Sequence, residues 1–217
     1  MKILVIVAHQ DDEVLGCGAT IAKLIEQGNE CRIVFMNRGF EDRQTEEQAF
    51  EAGAILGLNK SGISFHEFVG SVMDTYPLLE VIQAIEGDIR EFKPGIIFTH
   101  SIADLNIDHS ITAKAVLTAT RPLSESFVGT IYAIEIPSST EWGFGQIAPV
   151  FSPNTFQEVS ADNVSKKLNA LAIYGTEARR SPHPRSPEAL TAKAKVWGSV
   201  AGVEFAEAFQ LIRQVKN

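Results

Sequence analysis

Five consecutive apolar residues, Ile3 to Val7, run directly into Ala8-His9-Gln10-Asp11-Asp12-Glu13. The apolar run is short and rich in β-branched residues, which reads as a strand buried on both faces. An imidazole and three carboxylates within five positions cannot share that core, because unpaired buried charge is strongly disfavoured. They belong just past the carboxyl end of the strand, where the chain turns into a helix. In open α/β sheets that is also where ligands bind. One junction therefore constrains both the fold and the place to look for chemistry.

The remaining pattern agrees. Lys2–Ala8, Cys31–Met36, Ile63–Phe68, Gly95–Thr99 and Thr130–Ile136 read as strands, with Phe156–Val159 as a further one. Apolar spacing predicts helices over Glu13–Gln27, Thr45–Leu56, Pro77–Phe92 and Asp108–Thr120. Gly28 suits a helix C-terminus and Pro77 a first helical position. Two more helices are expected over Ala161–Tyr174 and Pro187–Gln214. Strands alternating with helices predict an α/β fold, a Rossmann-like three-layer sandwich with a mostly parallel central sheet. With no repeat, low-complexity tract or linker, residues 1–217 are expected to form a single domain.

Composition narrows the function. A net charge of −8 lacks the basic stripe of a nucleic-acid binder, so no nucleic-acid partner is expected. No apolar run approaches a membrane span. Cys17 and Cys31 are not spaced as a disulfide framework, which fits a reducing, cytoplasmic compartment. A homo-oligomer is compatible with this pattern, and nothing in it specifies one.

Polar clusters follow the strand ends: His9 to Glu13, Asn37 to Gly39 with Arg43, His100 to His109, and Glu135 to Trp142. A catalytic zinc takes three protein ligands and keeps a position open for water. His9 and Asp12 offer two. His109 qualifies as the third, preceded by Asp104, Asn106 and Asp108. The alternative for His9 and Asp12 is a helix N-cap beside a hydrogen-bonded imidazole. One Zn2+ per chain is the expectation. Asp11 stands beside a ligand and is placed to take a proton from water acidified by the ion. Glu13 is accounted for by the helix dipole.

Ala8-His9-Gln10-Asp11-Asp12-Glu13 resembles the Ala-His-Pro-Asp-Asp-Glu signature of the LmbE-like, or PIG-L, N-deacetylases. His100-Ser-Ile-Ala-Asp104-Leu-Asn106-Ile-Asp108-His109 is similar to that family's second signature, which ends in Asp-His. The order of strands and helices agrees up to Ile136. The resemblance implies a zinc-dependent hydrolase that removes an N-acetyl group from an amino sugar. It implies His9, Asp12 and His109 as ligands, Asp11 as general base, and Arg43 facing substrate. Two departures stand out. Gln10 replaces proline, which loses a rigid turn but no ligand. Asn106 stands where many members carry a histidine that assists the leaving group or the oxyanion. Asparagine can donate to an oxyanion but cannot be a general acid. Asp108 would ordinarily orient that histidine, and its role here is open. His100 and His183 are the candidates to protonate the leaving amine, unless Asp11 returns the proton itself.

His183 lies in Ser181-Pro182-His183-Pro184-Arg185-Ser186, which resembles a C-terminal feature of sugar-modifying members. A stiff loop presenting His183 and Arg185 to substrate is one reading, with Arg185 suited to phosphate. An exposed turn is the other. Glu135, Ser138, Ser139, Thr140, Glu141 and Trp142 read as a wall for a sugar, or else as a surface loop. The stacking face and the arginine favour a sugar nucleotide among N-acetylglucosamine conjugates. Competing readings are a metal-dependent esterase or phosphodiesterase and a non-catalytic nucleotide-sugar-binding module. Gly16-Cys17-Gly18 hints at the last, but Ile21 occupies the third glycine position of the dinucleotide fingerprint.

Overall fold

The computed structural model describes residues 1–39, 45–146 and 150–215. Its first half alternates strictly: β1 (Lys2–Val7), α1 (Asp12–Glu26), β2 (Glu30–Phe35), α2 (Glu46–Leu56), β3 (Ile63–Phe65), α3 (Leu78–Phe92), β4 (Ile96–His100), α4 (Ile107–Ala119) and β5 (Thr130–Ile134). Then come β6 (Thr155–Val159), α5 (Ala161–Ile173), α6 (Pro187–Ala201) and β7 (Phe205–Gln214). The strands form one sheet in the order β3-β2-β1-β4-β5-β7-β6. β1 to β5 pair in parallel, and β7 runs antiparallel to both β5 and β6.

The period-two alternation of β1 builds both faces. Ile3, Val5 and Val7 enter a core with Val14, Leu15 and Ile21 of α1, Ala49 and Ala52 of α2, and Leu171 of α5. Leu4 and Ile6 enter a second core with Val81, Ile85 and Ile89 of α3 and Val116 of α4. The result is the expected three-layer sandwich. α1 leaves β1 on one face and α4 leaves β4 on the other, so the strand order reverses between these neighbours. A crevice at that switch point is the usual ligand site of such sheets.

The glycines of Gly16-Cys17-Gly18 serve packing. A Cβ on Gly16 would meet Ile134 Cδ1 at 2.5 Å, so its absence brings α1 close to β5. At Cys17 (φ −149°) the helix is interrupted. The backbone groups this releases find an ion pair: Lys167 Nζ donates to Leu15 O, while Glu207 accepts from the N–H groups of Ala19 and Thr20. Lys167 and Glu207 bond to each other, so neither charge is buried alone.

The single helix expected over Pro187–Gln214 is corrected. α6 stops at Ala201, Gly202 takes a left-handed conformation (φ +76°), and residues Phe205–Gln214 become β7. Phe205, Ala206, Glu207, Ala208 and Phe209 are all buried. A strand covered on both faces loses its alternation, and alanine with glutamate mimics a helix. The return is tight: a Cβ on Gly198 would lie 2.5 Å from Glu204 O. Gly198→Ala must therefore displace backbone, and it should destabilise the fold by about 1–3 kcal/mol in chemical denaturation. An unchanged midpoint would contradict this close approach.

Candidate metal centre

β1 ends at Val7 and α1 begins at Asp12, so His9 and Asp12 share one tight turn. The His9 N–H donates to Asp12 Oδ2 at 2.9 Å. The turn survives without proline because Gln10 Nε2 donates to Asn37 O at 2.7 Å and Asn37 Nδ2 donates to Ala8 O at 2.9 Å. After the neighbouring strand β4, Asn106 caps α4 by accepting the Asp108 N–H at 2.9 Å, and the first turn then presents His109.

Three atoms converge. His9 Nδ1 lies 3.2 Å from His109 Nε2 and 3.4 Å from Asp12 Oδ2, and His109 Nε2 lies 3.3 Å from Asp12 Oδ2. All three side chains are buried. Tetrahedral zinc, with bonds of about 2.0–2.1 Å, holds its ligand atoms roughly 3.3 Å apart. The donor set and its spacing therefore fit such an ion. Each imidazole is also backed by a carboxylate. His9 Nε2 bonds Asp108 Oδ2 at 2.9 Å. His109 Nδ1 lies 3.1 Å from Asp104 Oδ1, an ion-pair contact off the line of a good hydrogen bond. Carboxylate–histidine pairs of this kind fix ring orientation and raise ligand basicity.

The electrostatics follow from burial and these carboxylates. Burial opposes charge on His9, but Asp108 and Asp12 outweigh it and raise its pKa to about 9. His109 rises to about 10 against the same burial, through Asp12 and Asp104. Burial works against the Asp12 carboxylate too, yet His109 and His100 hold it well below the usual range. In Asp11, burial pushes the pKa up to about 7, opposed by Arg185.

The other expected residues divide. His100 is buried, accepts the Ala8 N–H on Nε2 at 2.8 Å and stacks on His109 with ring centres 3.9 Å apart. Burial and the charge of His109 lower its pKa to about 3. It is a platform beneath His109, which corrects its expected place as a substrate-facing group or acid. Asp108, expected to face substrate, is fully buried and is taken up by His9 and the N–H groups of Ser71 and Met73, so in this arrangement it orients the His9 imidazole. Glu135 pairs with Lys193 at 2.9 Å in a small cavity with Leu15, Ala19 and Lys167, away from the triad. Arg43 lies outside the described residues. Trp142 and His183 meet edge to face with ring centres 5.7 Å apart. The loop that carries Trp142 is tied to the centre, since Ser139 Oγ and Thr140 Oγ1 both donate to Asp104. Arg185, expected to meet phosphate, instead donates to Asp11 Oδ2 at 2.8 Å and Glu177 Oε2 at 2.7 Å. Tyr174 and Glu177 are not marked by any local motif: the partner of Tyr174, Glu13, lies 161 positions away, and Glu177 meets Arg185, eight residues on, only through the folding of the α5–α6 connection.

A profile of the PIG-L family, described as GlcNAc-PI de-N-acetylase, matches residues 4–120, which include the His9–Glu13 and His100–His109 segments. The chain belongs to the PIG-L family. This PIG-L chain is 29% identical over 178 residues to the uncharacterized deacetylase YaiS of Escherichia coli K12, covering 78% of this chain and 88% of that one. It resembles the N,N'-diacetylchitobiose deacetylase of Pyrococcus horikoshii with a TM-score of 0.76 at 20% identity, over 98% of this chain and 84% of that one. It also resembles GalB, the 4-carboxy-2-hydroxymuconate hydratase of Pseudomonas putida KT2440, with a TM-score of 0.73 at 23% identity, over 100% and 98% of the two chains. These structural likenesses establish the fold. The named chemistries differ, so activity must be argued from the site.

Asp108→Asn should keep the triad's spacing while weakening its support. Metal affinity, measured by chelator competition, should fall about 10- to 100-fold. Wild-type affinity would remove Asp108 from the centre.

Proposed function

We propose that this PIG-L chain is a single-domain, metal-dependent amide hydrolase that removes an N-acetyl group from an amino sugar. The observation that carries the reading is the triangle of His9 Nδ1, Asp12 Oδ2 and His109 Nε2, with the non-ligand carboxylate Asp11 on the same turn. Zn2+ bound there would polarise the amide carbonyl and bring the pKa of water to about 7.

The chain's own groups supply the rest. Asp11 takes the proton from the attacking water. Asn106 Oδ1 is committed to the Asp108 N–H, so its Nδ2 is the group that can donate to the oxyanion. For the leaving amine, His183 is a poor acid. Its Nδ1 accepts the Arg185 N–H at 3.1 Å, and burial together with the charges of Arg185 and Arg179 lowers its pKa. A neutral His183 can still donate from Nε2 to a sugar hydroxyl. Asp11 therefore returns the proton it took, and acetate and a free amine result.

Trp142, 40% exposed, and His183 form a rim suited to one face of a sugar ring. Arg185 is engaged by two carboxylates, which removes the phosphate partner that favoured a sugar nucleotide. An N-acetylglucosamine conjugate is the better substrate class on these grounds. The relatives named as deacetylases support amide hydrolysis.

Acetate release from a panel of N-acetylated sugars, conjugates and sugar nucleotides tests the substrate class. Chelation should abolish release and zinc should restore it. Asp11→Asn should retain metal and lower turnover about 100- to 10,000-fold. Full turnover with metal retained would rule out Asp11 as the base.

A further inference from the structure

The family match ends at residue 120, yet among the described residues Arg185, which bonds the Asp11 carboxylate, comes from the segment after α5 begins. Arg185 donates from Nη1 to Asp11 Oδ2 and Glu177 Oε2, and from Nε to Pro137 O at 3.1 Å and Ser138 Oγ at 2.9 Å. One guanidinium thus ties the β1–α1 turn to the loop after β5 and to the α5–α6 connection. Its exposure is 15%, against 2% and 7% for the two carboxylates. These are charge-assisted bonds in a rigid fork, largely withdrawn from solvent, and they fix direction as well as charge.

The peptide of Asp11 is held separately. Its φ of 111° lies in the left-handed region, which a residue with a Cβ occupies only when its surroundings enforce it. The Asp11 N–H donates to Glu13 Oε2 at 3.0 Å, and Glu13 Oε1 accepts from Tyr174 OH at 2.6 Å. Tyr174 and Glu13 are each 1% exposed. Tyr174, Glu177 and Arg185 neither belong to the metal triad nor back its imidazoles, so metal binding does not account for this arrangement.

We infer that Arg185 and Tyr174 are positioning residues for the base: Arg185 aims the Asp11 carboxylate, and Tyr174, through Glu13, holds the peptide that carries it. The inference rests on Asp11 acting as the base. A base works only within hydrogen-bond reach of the proton it takes, and a displacement of about 1 Å can lower a rate about 100-fold.

Double-mutant cycles on the full, zinc-loaded chain test it, with acetate release from N-acetylglucosamine as the assay. Arg185→Gln should lower kcat about 10- to 100-fold, with KM and zinc stoichiometry within about twofold of wild type. Tyr174→Phe, which keeps the ring in the core, should lower kcat about 5- to 10-fold. In an Asp11→Asn background both substitutions should lose their effect on kcat. A readout without metal or turnover comes from the metal-free protein. There Arg185→Gln should lower the thermal midpoint by about 5–10 °C, and adding Asp11→Asn should recover part of that loss. Equal losses in the wild-type and Asp11→Asn backgrounds would overturn the inference. So would an Arg185→Gln chain with normal kcat and a KM raised about tenfold or more, which would make Arg185 a substrate contact. Unimpaired turnover of Asp11→Asn alone would instead overturn the base assignment, so the two failures are distinguishable.

Discussion

One buried carboxylate draws three imidazoles around it. Asp12 Oδ2 accepts the His9 N–H at 2.9 Å and lies within 3.3–3.4 Å of nitrogens of His9, His100 and His109. Isolated in an apolar interior, such a charge would be neutralised or expelled. Its neighbours make it tolerable, and its tolerance dictates their positions. His9 must follow β1 directly. His100 must end the adjacent strand β4. His109 must be delivered by the first turn of α4. The reversal of strand order between β1 and β4 is what lets these segments meet from opposite layers of the sandwich. Asp104 and Asp108 extend the same logic outward, each setting one imidazole of the triad while its remaining bonds anchor a loop.

Much of this was legible in the sequence. The apolar run into His9, the alternation of strands and helices, and the two polar clusters are local features, and local features survive without coordinates. That His9, Asp12 and His109 come together was legible for the same reason, since each sits at a strand end or a first helical turn. Two kinds of information were not. The identity of β7 was hidden because burial on both faces erased its alternation, and the cue at Gly202 is a backbone angle rather than a pattern. The roles of His100, Asp108, Glu135 and Arg185 depend on which way each side chain points. A polar residue near a strand end can face the cleft, back a ligand or pair elsewhere, and spacing does not distinguish these. Tyr174 shows the limit most clearly, for its partner Glu13 lies 161 positions away.

The division of labour across the chain follows from these contacts. The metal triad lies in the segment matched by the family profile, whereas Arg185, which bonds Asp11, and the Trp142–His183 pair come from later in the chain. The helix interruption at Cys17 belongs to the same scheme, because the Lys167–Glu207 pair joins α1, which carries Asp12 and Glu13 in its first turn, to α5 and β7. Because the fold is shared with proteins of different named activities, the groups around the triad, and not the fold, must carry the argument about chemistry.

Anomalous diffraction across the zinc edge from crystals of the zinc-loaded protein tests the central claim most directly. The account expects one peak per chain, about 2.0–2.2 Å from His9 Nδ1, an Asp12 carboxylate oxygen and His109 Nε2. A peak elsewhere, ligation through His9 Nε2, or a pair of metal peaks in the crevice would contradict it.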